Sequence, residues 1–280
     1  GYNNPNYHAG LRGDSETRRI GQMIARQSWK LFRELDSQLQ DSALVRHAMR
    51  EIDVLEPRSD ETHLLCDRAI IGAATVGAAK GDEVFPISYL PPFAAGWPKT
   101  LFTDNCHAQK NWMLSWLQVW GLQPERYPHK INATALQIGD FVLVGLPFEI
   151  TFEAGNRIRN AVQQSLANVG EHPSHIAISS HTNGFFGYST TPEEYSQQYY
   201  EGGHTIYGPG TTEFLSLLSA RLVADMTTHE ALQDLPQQWN FDLATEHYFP
   251  APLASQGQRS EVLAPHYIDN KMEQEGYWSF

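Results

Sequence analysis

Apolar residues recur along this chain with two periods. In residues 16–39, Ile20, Met23, Ile24, Leu31, Phe32 and Leu35 fall near the 3.6-residue repeat, and Asp14 or Ser15 can cap the segment, which predicts a helix. Residues 135–138 and 141–146 are apolar runs separated by Gly139 and Asp140, the pattern of two strands joined by a two-residue turn. Residues 151–166 return to helical spacing, with Thr151 as candidate cap and Ile158, Val162 and Leu166 on one face. Residues 175–180 read as a short strand, and residues 181–209 as a long polar and aromatic loop. Thr211 or Thr212 then caps a helix through Met226, with Phe214, Leu215, Leu218, Leu222 and Val223 apolar. Strand, helix, strand, loop, helix in that order predicts the α/β class: a mixed sheet with helices packed on it.

Other stretches are less regular. Residues 70–80 are rich in Gly and Ala (Gly72, Ala73, Ala74, Gly77, Ala78, Ala79), which suits close backbone approach in either a tightly packed loop or a ligand cradle. No Gly-Lys-Ser/Thr follows, so a phosphate loop is excluded. Residues 86–98 are dotted with Pro and aromatics and read as an irregular surface loop. Trp112, Trp116 and Trp120 are spaced as a helical stripe, which belongs in a core or an interface. Periodicity fades beyond residue 235. Residues 1–230 are therefore read as one unit, and residues 231–280 as a tail or a linker toward a further module.

Composition narrows the classes. The 280 residues are 41 % hydrophobic and 19 % charged, as in a globular protein long enough to bury a core. A formal net charge of −12 opposes phosphate backbones and argues against nucleic acid as a partner. No apolar run approaches the ~20 residues of a membrane span. Cys66 and Cys106 allow one disulfide and cannot form a Cys-rich zinc site. The opening residues show neither an initiator Met nor the layout of a signal peptide, so the expectation is that something upstream has been removed or that the chain is a piece of a longer one.

Ligands in open α/β sheets gather at the carboxyl ends of strands. Two segments fall there: residues 146–149, which place Glu149 just past a very apolar strand, and residues 181–188, which end in Tyr188 just past the next one. Adjacent strand ends would bring a carboxylate and a phenol together, two hard oxygen donors suited to a divalent cation. Read from residue types alone, Glu149 fits a carboxylate stabilised by the dipole of the following helix better than a metal ligand. Likewise Tyr188 fits an ordinary loop aromatic, and His181 and His204 fit hydrogen-bonded loop histidines.

Longer motifs change that balance. Asn183-Gly-Phe-Phe-Gly-Tyr188-Ser-Thr-Thr-Pro-Glu-Glu-Tyr195, Tyr200-Glu-Gly-Gly-His-Thr-Ile-Tyr207-Gly-Pro209, Leu146-Pro-Phe-Glu149-Ile-Thr with Ala154-Gly-Asn-Arg157-Ile-Arg159, Ser15-Glu-Thr-Arg-Arg-Ile-Gly21 and, more loosely, Cys106-His-Ala-Gln-Lys110 resemble the neutral/alkaline (non-lysosomal) ceramidases. The resemblance runs in order from about residue 1 to about residue 226. It implies zinc-dependent hydrolysis of the amide of ceramide or a related N-acyl lipid. Glu149 and Tyr188 are implied as two zinc ligands, and Tyr200 as a catalytic residue lining the metal site. The two zinc histidines are expected from an upstream segment or chain, without which the fold is incomplete. Asn4 falls at the family's active-site serine, and an amide can neither attack nor relay a proton as a hydroxyl does. The alternatives are a non-catalytic homologue that binds lipid or a partner, and a zinc amidase for another N-acyl substrate. The resemblance also implies a secreted, periplasmic or cell-surface protein working at a membrane surface.

Overall fold

A computed structural model describes residues 13–35, 37, 39, 41–56, 62–79, 81–99, 105–114 and 117–228, and the backbone of short strands between 260 and 279. Asn4 and Trp116 lie outside the described residues. Two compact units are distinguished, Gly1–Phe241 and Asp242–Phe280. In the second, β7 (Ser260–Leu263) pairs with β10 (Tyr277–Ser279), and β8 (His266–Ile268) with β9 (Lys271–Gln274), both antiparallel.

The first unit is built on a four-stranded mixed sheet of order β1-β2-β3-β5. Helix α1 (Asp14–Leu35) precedes β1 (Val45–Asp53), and the short α2 (Leu117–Gly121) precedes β2 (Lys130–Ile138). β2 turns through Gly139 (φ +56) and Asp140 into β3 (Phe141–Gly145), as the sequence predicts. β1–β2 and β2–β3 are antiparallel, while β5 (His175–Ser179) runs parallel to β3. A parallel neighbour needs a crossover, and α3 (Phe152–Asn168) supplies it. Burying Ala154, Ile158, Val162 and Leu166 sets one face of α3 against α6 (Thr211–Thr228), whose Phe214, Leu215, Leu218, Leu222 and Val223 are also buried. These apolar faces join Ile131, Val142, Val144 and Leu146 in one core.

Residues 181–209 are more ordered than a loop. They contain β6 (Tyr188–Ser189), α4 (Pro192–Ser196) and α5 (Tyr200–His204). Each is shorter than the window over which a period is legible. β6 pairs in parallel with β4 (Glu149–Ile150), a two-residue strand just before α3. α4 starts with a capping box in which the Thr191 hydroxyl accepts from the Glu194 N–H and Glu194 reaches back to the Thr191 N–H. The Thr151 hydroxyl donates to that same Glu194 carboxylate at 2.6 Å, tying the start of α3 to α4.

The first helix forms as the spacing predicts, whereas the tryptophan stripe needs correction. On α1, Met23, Ile24, Leu31 and Phe32 of the apolar stripe are exposed, and its one buried residue is Glu16, bonded by the Arg19 guanidinium (2.8 Å). Periodicity reports amphipathicity, not what covers the apolar face. The tryptophan stripe is not one helix face: Trp112 pairs with Gly72 in an isolated bridge, and Trp120 is exposed on α2.

The Gly/Ala stretch packs as a tight loop. Gly72 donates its N–H to the Gly203 carbonyl (2.8 Å), and a Cβ on Gly72 would lie 2.7 Å from the Gly203 Cα. Two glycines thus let this loop lie directly on α5. Nearby, Cys66 and Cys106 form a disulfide, and Cys66 donates its N–H to the Tyr207 carbonyl (3.0 Å). Lys110 is fully buried, its ammonium donating to the carbonyls of Ile70 (2.9 Å) and Thr205 (2.7 Å) and lying over the Tyr195 ring.

Candidate active site

The site forms where residues 146–151 are zipped to residues 179–189. Leu146 donates its N–H to Ser179, Glu149 to Gly187, and Thr151 to Ser189, while His181 donates to Phe148 and Phe186 to Pro147. This backbone lattice sets β4 beside β6 in the register that places Glu149 opposite Tyr188. From the same two segments, the buried rings of Phe148 and Phe186 pack with centroids 5.5 Å apart.

The Glu149 carboxylate neighbours the Tyr188 phenol across the β4–β6 pairing. Burial is the main reason the Tyr188 hydroxyl is pushed well above its ordinary value of 10, and the adjacent Glu149 carboxylate adds to it. Tyr188 is therefore a neutral donor at ordinary pH. Tyr200 from α5 meets the Tyr188 ring edge-on at 5.8 Å, and His204, one turn further along α5, packs on both rings at 5.9 and 6.0 Å. Burial, with Lys110 nearby, lowers the His204 pKa from 6.5, and its Nδ1 is buried with no hydrogen-bond partner among the described residues. A recess of about 410 Å³ opens beside Tyr200 and Glu201, walled by Gly77, Ala78, Ser88 and Ala95.

Strand-end reasoning places Glu149 and Tyr188 together, and the structure does bring them together, with Tyr200 beside them. The same reasoning favoured hydrogen-bonded loop histidines for His181 and His204; both face this cluster, His181 with its Nε2 3.5 Å from Glu149 Oε2 and His204 through ring contacts. The sequence marks Gly72 as suited to close backbone approach and Lys110 as part of a motif, but it does not show that both hold α5 in place. A lysine in a polar stretch carries no mark of burial, and partners 40 and 95 positions away carry no local signal.

A carboxylate and a phenol side by side are a donor pair that fits two positions around a divalent cation. Among the described residues no group of three or more His, Cys, Asp or Glu could hold a metal ion, so this pair is a partial donor set.

The family model for neutral/alkaline non-lysosomal ceramidase, N-terminal, matches residues 5–216. This chain belongs to that ceramidase family. Neutral ceramidase 1 of Arabidopsis thaliana is 30 % identical over 236 residues, which are 75 % of this chain and 30 % of that protein. The neutral ceramidase of Pseudomonas aeruginosa is 45 % identical over 145 residues, 50 % of this chain and 20 % of the relative. The crystal structure of neutral ceramidase from Pseudomonas aeruginosa superposes with a TM-score of 0.59 at 26 % identity, over 84 % of this chain and 37 % of that one. A structure described as ceramidase complexed with C2 gives 0.54 at 27 % identity, over 71 % and 33 %. The chain thus spans less than a third of the length of these curated relatives. The mixed α/β architecture is the one expected for a ceramidase. No helix among the described residues is long and apolar enough to cross a membrane.

Proposed function

We propose that this chain forms part of a zinc-dependent ceramidase that hydrolyses the amide bond of ceramide or a related N-acyl lipid. The observation that carries this reading is the Glu149–Tyr188 pair, brought into register by β4 and β6 within the family's own motifs. Glu149 and Tyr188 would hold the metal, and imidazoles from an upstream segment or chain would complete its shell. When bound, zinc polarises the amide carbonyl and lowers the pKa of a coordinated water toward 7.

The chain's own residues have separate tasks. Tyr188 would release its hydroxyl proton to solvent on becoming a ligand, and Glu149 would stay ionised as the second negatively charged donor beside it. Tyr200, edge-on to Tyr188, presents a hydroxyl to the carbonyl oxygen as negative charge develops there. The recess beside Tyr200 leaves room for substrate atoms flanking the amide. Phe185 and Tyr199, both exposed, offer apolar surface to lipid chains. The Cys66–Cys106 disulfide supports a secreted, periplasmic or cell-surface location, where lipid at a membrane surface is accessible.

Asn4, at the family's serine position, favours a second reading: a homologue that keeps the fold and binds lipid or a partner without turnover. Elemental analysis and ceramide hydrolysis on one sample of the native assembly separate the two. About one zinc per assembly with release of fatty acid is the expected result. Neither metal nor turnover overturns the enzymatic reading. Turnover of short N-acyl amides but not ceramide moves the substrate to another N-acyl compound.

A further inference from the structure

Residues 84–98 carry no charged side chain, although Asp82 and Glu83 precede them and Lys99 follows. They lie largely on the surface rather than in the core. Phe85 is 82 % exposed and Tyr89 67 %, and Val84, Leu90 and Trp97 are exposed as well. The rings of Phe85 and Tyr89 stand together, with centroids 6.2 Å apart. Single apolar side chains on a surface are ordinary, but a contiguous group marks a site of interaction.

Hydrogen bonds give this loop a fixed shape. Ser88, buried within it, donates its hydroxyl to the Gly77 carbonyl at 2.6 Å. Gly96 donates its N–H to the Gln198 carbonyl at 3.0 Å, and the Asn111 amide donates to the carbonyls of Trp97 and Pro98, both at 3.0 Å. Inside the loop, Tyr89 donates its N–H to Pro86 and Phe93 to Leu90. The polar backbone is thus anchored at the base, while the apolar tips are left to water.

Position and charge select the partner. Gly96 is left-handed (φ +71), and a Cβ there would stand 3.1 Å from the Tyr199 ring, so the exposed Tyr199 lies against the loop. Tyr199 and Tyr200 line the recess of the candidate site together with Glu83, Ser88 and Ala95. Because Glu83, Ala95 and Tyr199 are all exposed, the apolar patch forms the rim of that recess. The formal net charge of −12 and the acidic residues at 82 and 83 oppose an anionic surface, which draws in basic segments instead. Tyrosine and tryptophan, apolar in body and polar at the tip, suit the boundary between headgroups and acyl chains.

We propose that residues 84–97 and Tyr199 form a docking surface for a zwitterionic lipid bilayer, with Val84, Phe85, Tyr89 and Leu90 inserted among the headgroups so that the recess beside Tyr200 opens on the membrane. The inference rests on the reading of the substrate as an N-acyl lipid and adds the surface from which such a substrate is taken. Apolar insertion supplies the binding, so raised salt leaves it unchanged.

Co-sedimentation of the full chain with phosphatidylcholine vesicles tests this. The chain should bind at low and high salt alike. Phe85→Ser combined with Tyr89→Ser should weaken partitioning at least ~10-fold, since both remove apolar area that insertion buries, with an unchanged thermal midpoint. A polarity-sensitive dye attached through Phe85→Cys, the two native cysteines being bridged, should shift to the blue on vesicles. No vesicle binding by the unaltered chain, or a double variant that binds equally well, overturns the proposal. So does binding that needs anionic lipid and is released by salt. A dimer that the double variant abolishes, in place of vesicle binding, assigns the patch to a second copy and overturns it too. If circular dichroism shows that the double variant does not fold, the dye decides: a shift supports insertion and an unshifted spectrum overturns it. Hydrolysis of detergent-dispersed ceramide by the native assembly tests the underlying reading separately. Loop-dependent vesicle binding without such hydrolysis keeps the docking surface and rejects ceramide as substrate, whereas hydrolysis without vesicle binding does the reverse.

Discussion

Glu149 owes its environment to neighbours from residues 181–188: Tyr188, opposite it in the β4–β6 pairing, and His181, whose Nε2 lies 3.5 Å from its Oε2. Replacing it by Gln keeps shape and an acceptor for Tyr188 but removes the charge a cation needs. Glu149→Gln and Tyr188→Phe are each expected to lower ceramide hydrolysis by ~100-fold or more, beyond the loss typical of outer-shell partners, with thermal midpoints little changed. Assays paired with thermal melts check this; a variant that melts normally and keeps full activity would remove that residue from the mechanism. His107 yields a different prediction. It is fully buried, its Nε2 lies 3.1 Å from the Arg68 carbonyl, and burial with Lys110 nearby lowers its pKa from 6.5 to about 3. Because the unfolded chain takes up a proton near pH 6.5 and the folded chain does not until about pH 3, this group's contribution is complete above pH 6.5 and declines as the pH falls through that window. Its share of the slope approaches ~1.4 kcal/mol per pH unit. Denaturation midpoints for His107→Gln should fall less steeply over that range than those of the unaltered protein.

Among the elements, α5 matters most, since it carries Tyr200 and His204 and has only five residues. Too short to persist alone, it is held by what it lies on. Gly72 packs its backbone on Gly203, and Lys110 bonds the carbonyl of Thr205. A Cβ at position 72 would meet backbone rather than a pliable side chain. Gly72→Ala should therefore push α5 away, costing ~1–3 kcal/mol by overpacking. Activity should drop along with stability because Tyr200 moves; denaturant unfolding and turnover on the same variant check both. The long helices were legible in sequence because α3 and α6 repeat their apolar positions over four or five turns. β4, β6, α4 and α5, which build the site, have two to five residues each, too few for any period to register.

Over the whole first unit, the Cys66–Cys106 bridge closes a loop across a separation of 40 residues. Gly208, at φ +89, lies against it so closely that a Cβ there would stand 2.6 Å from the Cys66 sulfur. The disulfide thus backs the Tyr207–Pro209 turn that leads from α5 into α6. Replacing both cysteines by serine should lower stability by about 3–4 kcal/mol through the added freedom of the unfolded chain. Comparison of denaturant midpoints checks this, and an unchanged midpoint would show the bridge to be unformed in the native protein.

Residue order alone determined the class of fold, the hairpin, the two core helices and the motif positions of Glu149, Tyr188 and Tyr200, because each is written in a local period or a contiguous string. Tertiary structure decided the rest: that Glu149 and Tyr188 stand opposite each other, that His181 leans on the same acid, that α1 leaves its apolar stripe exposed, and that a buried lysine and two touching glycines seat α5. Those outcomes depend on contacts between residues tens of positions apart, whose energies are set by geometry that no local pattern encodes.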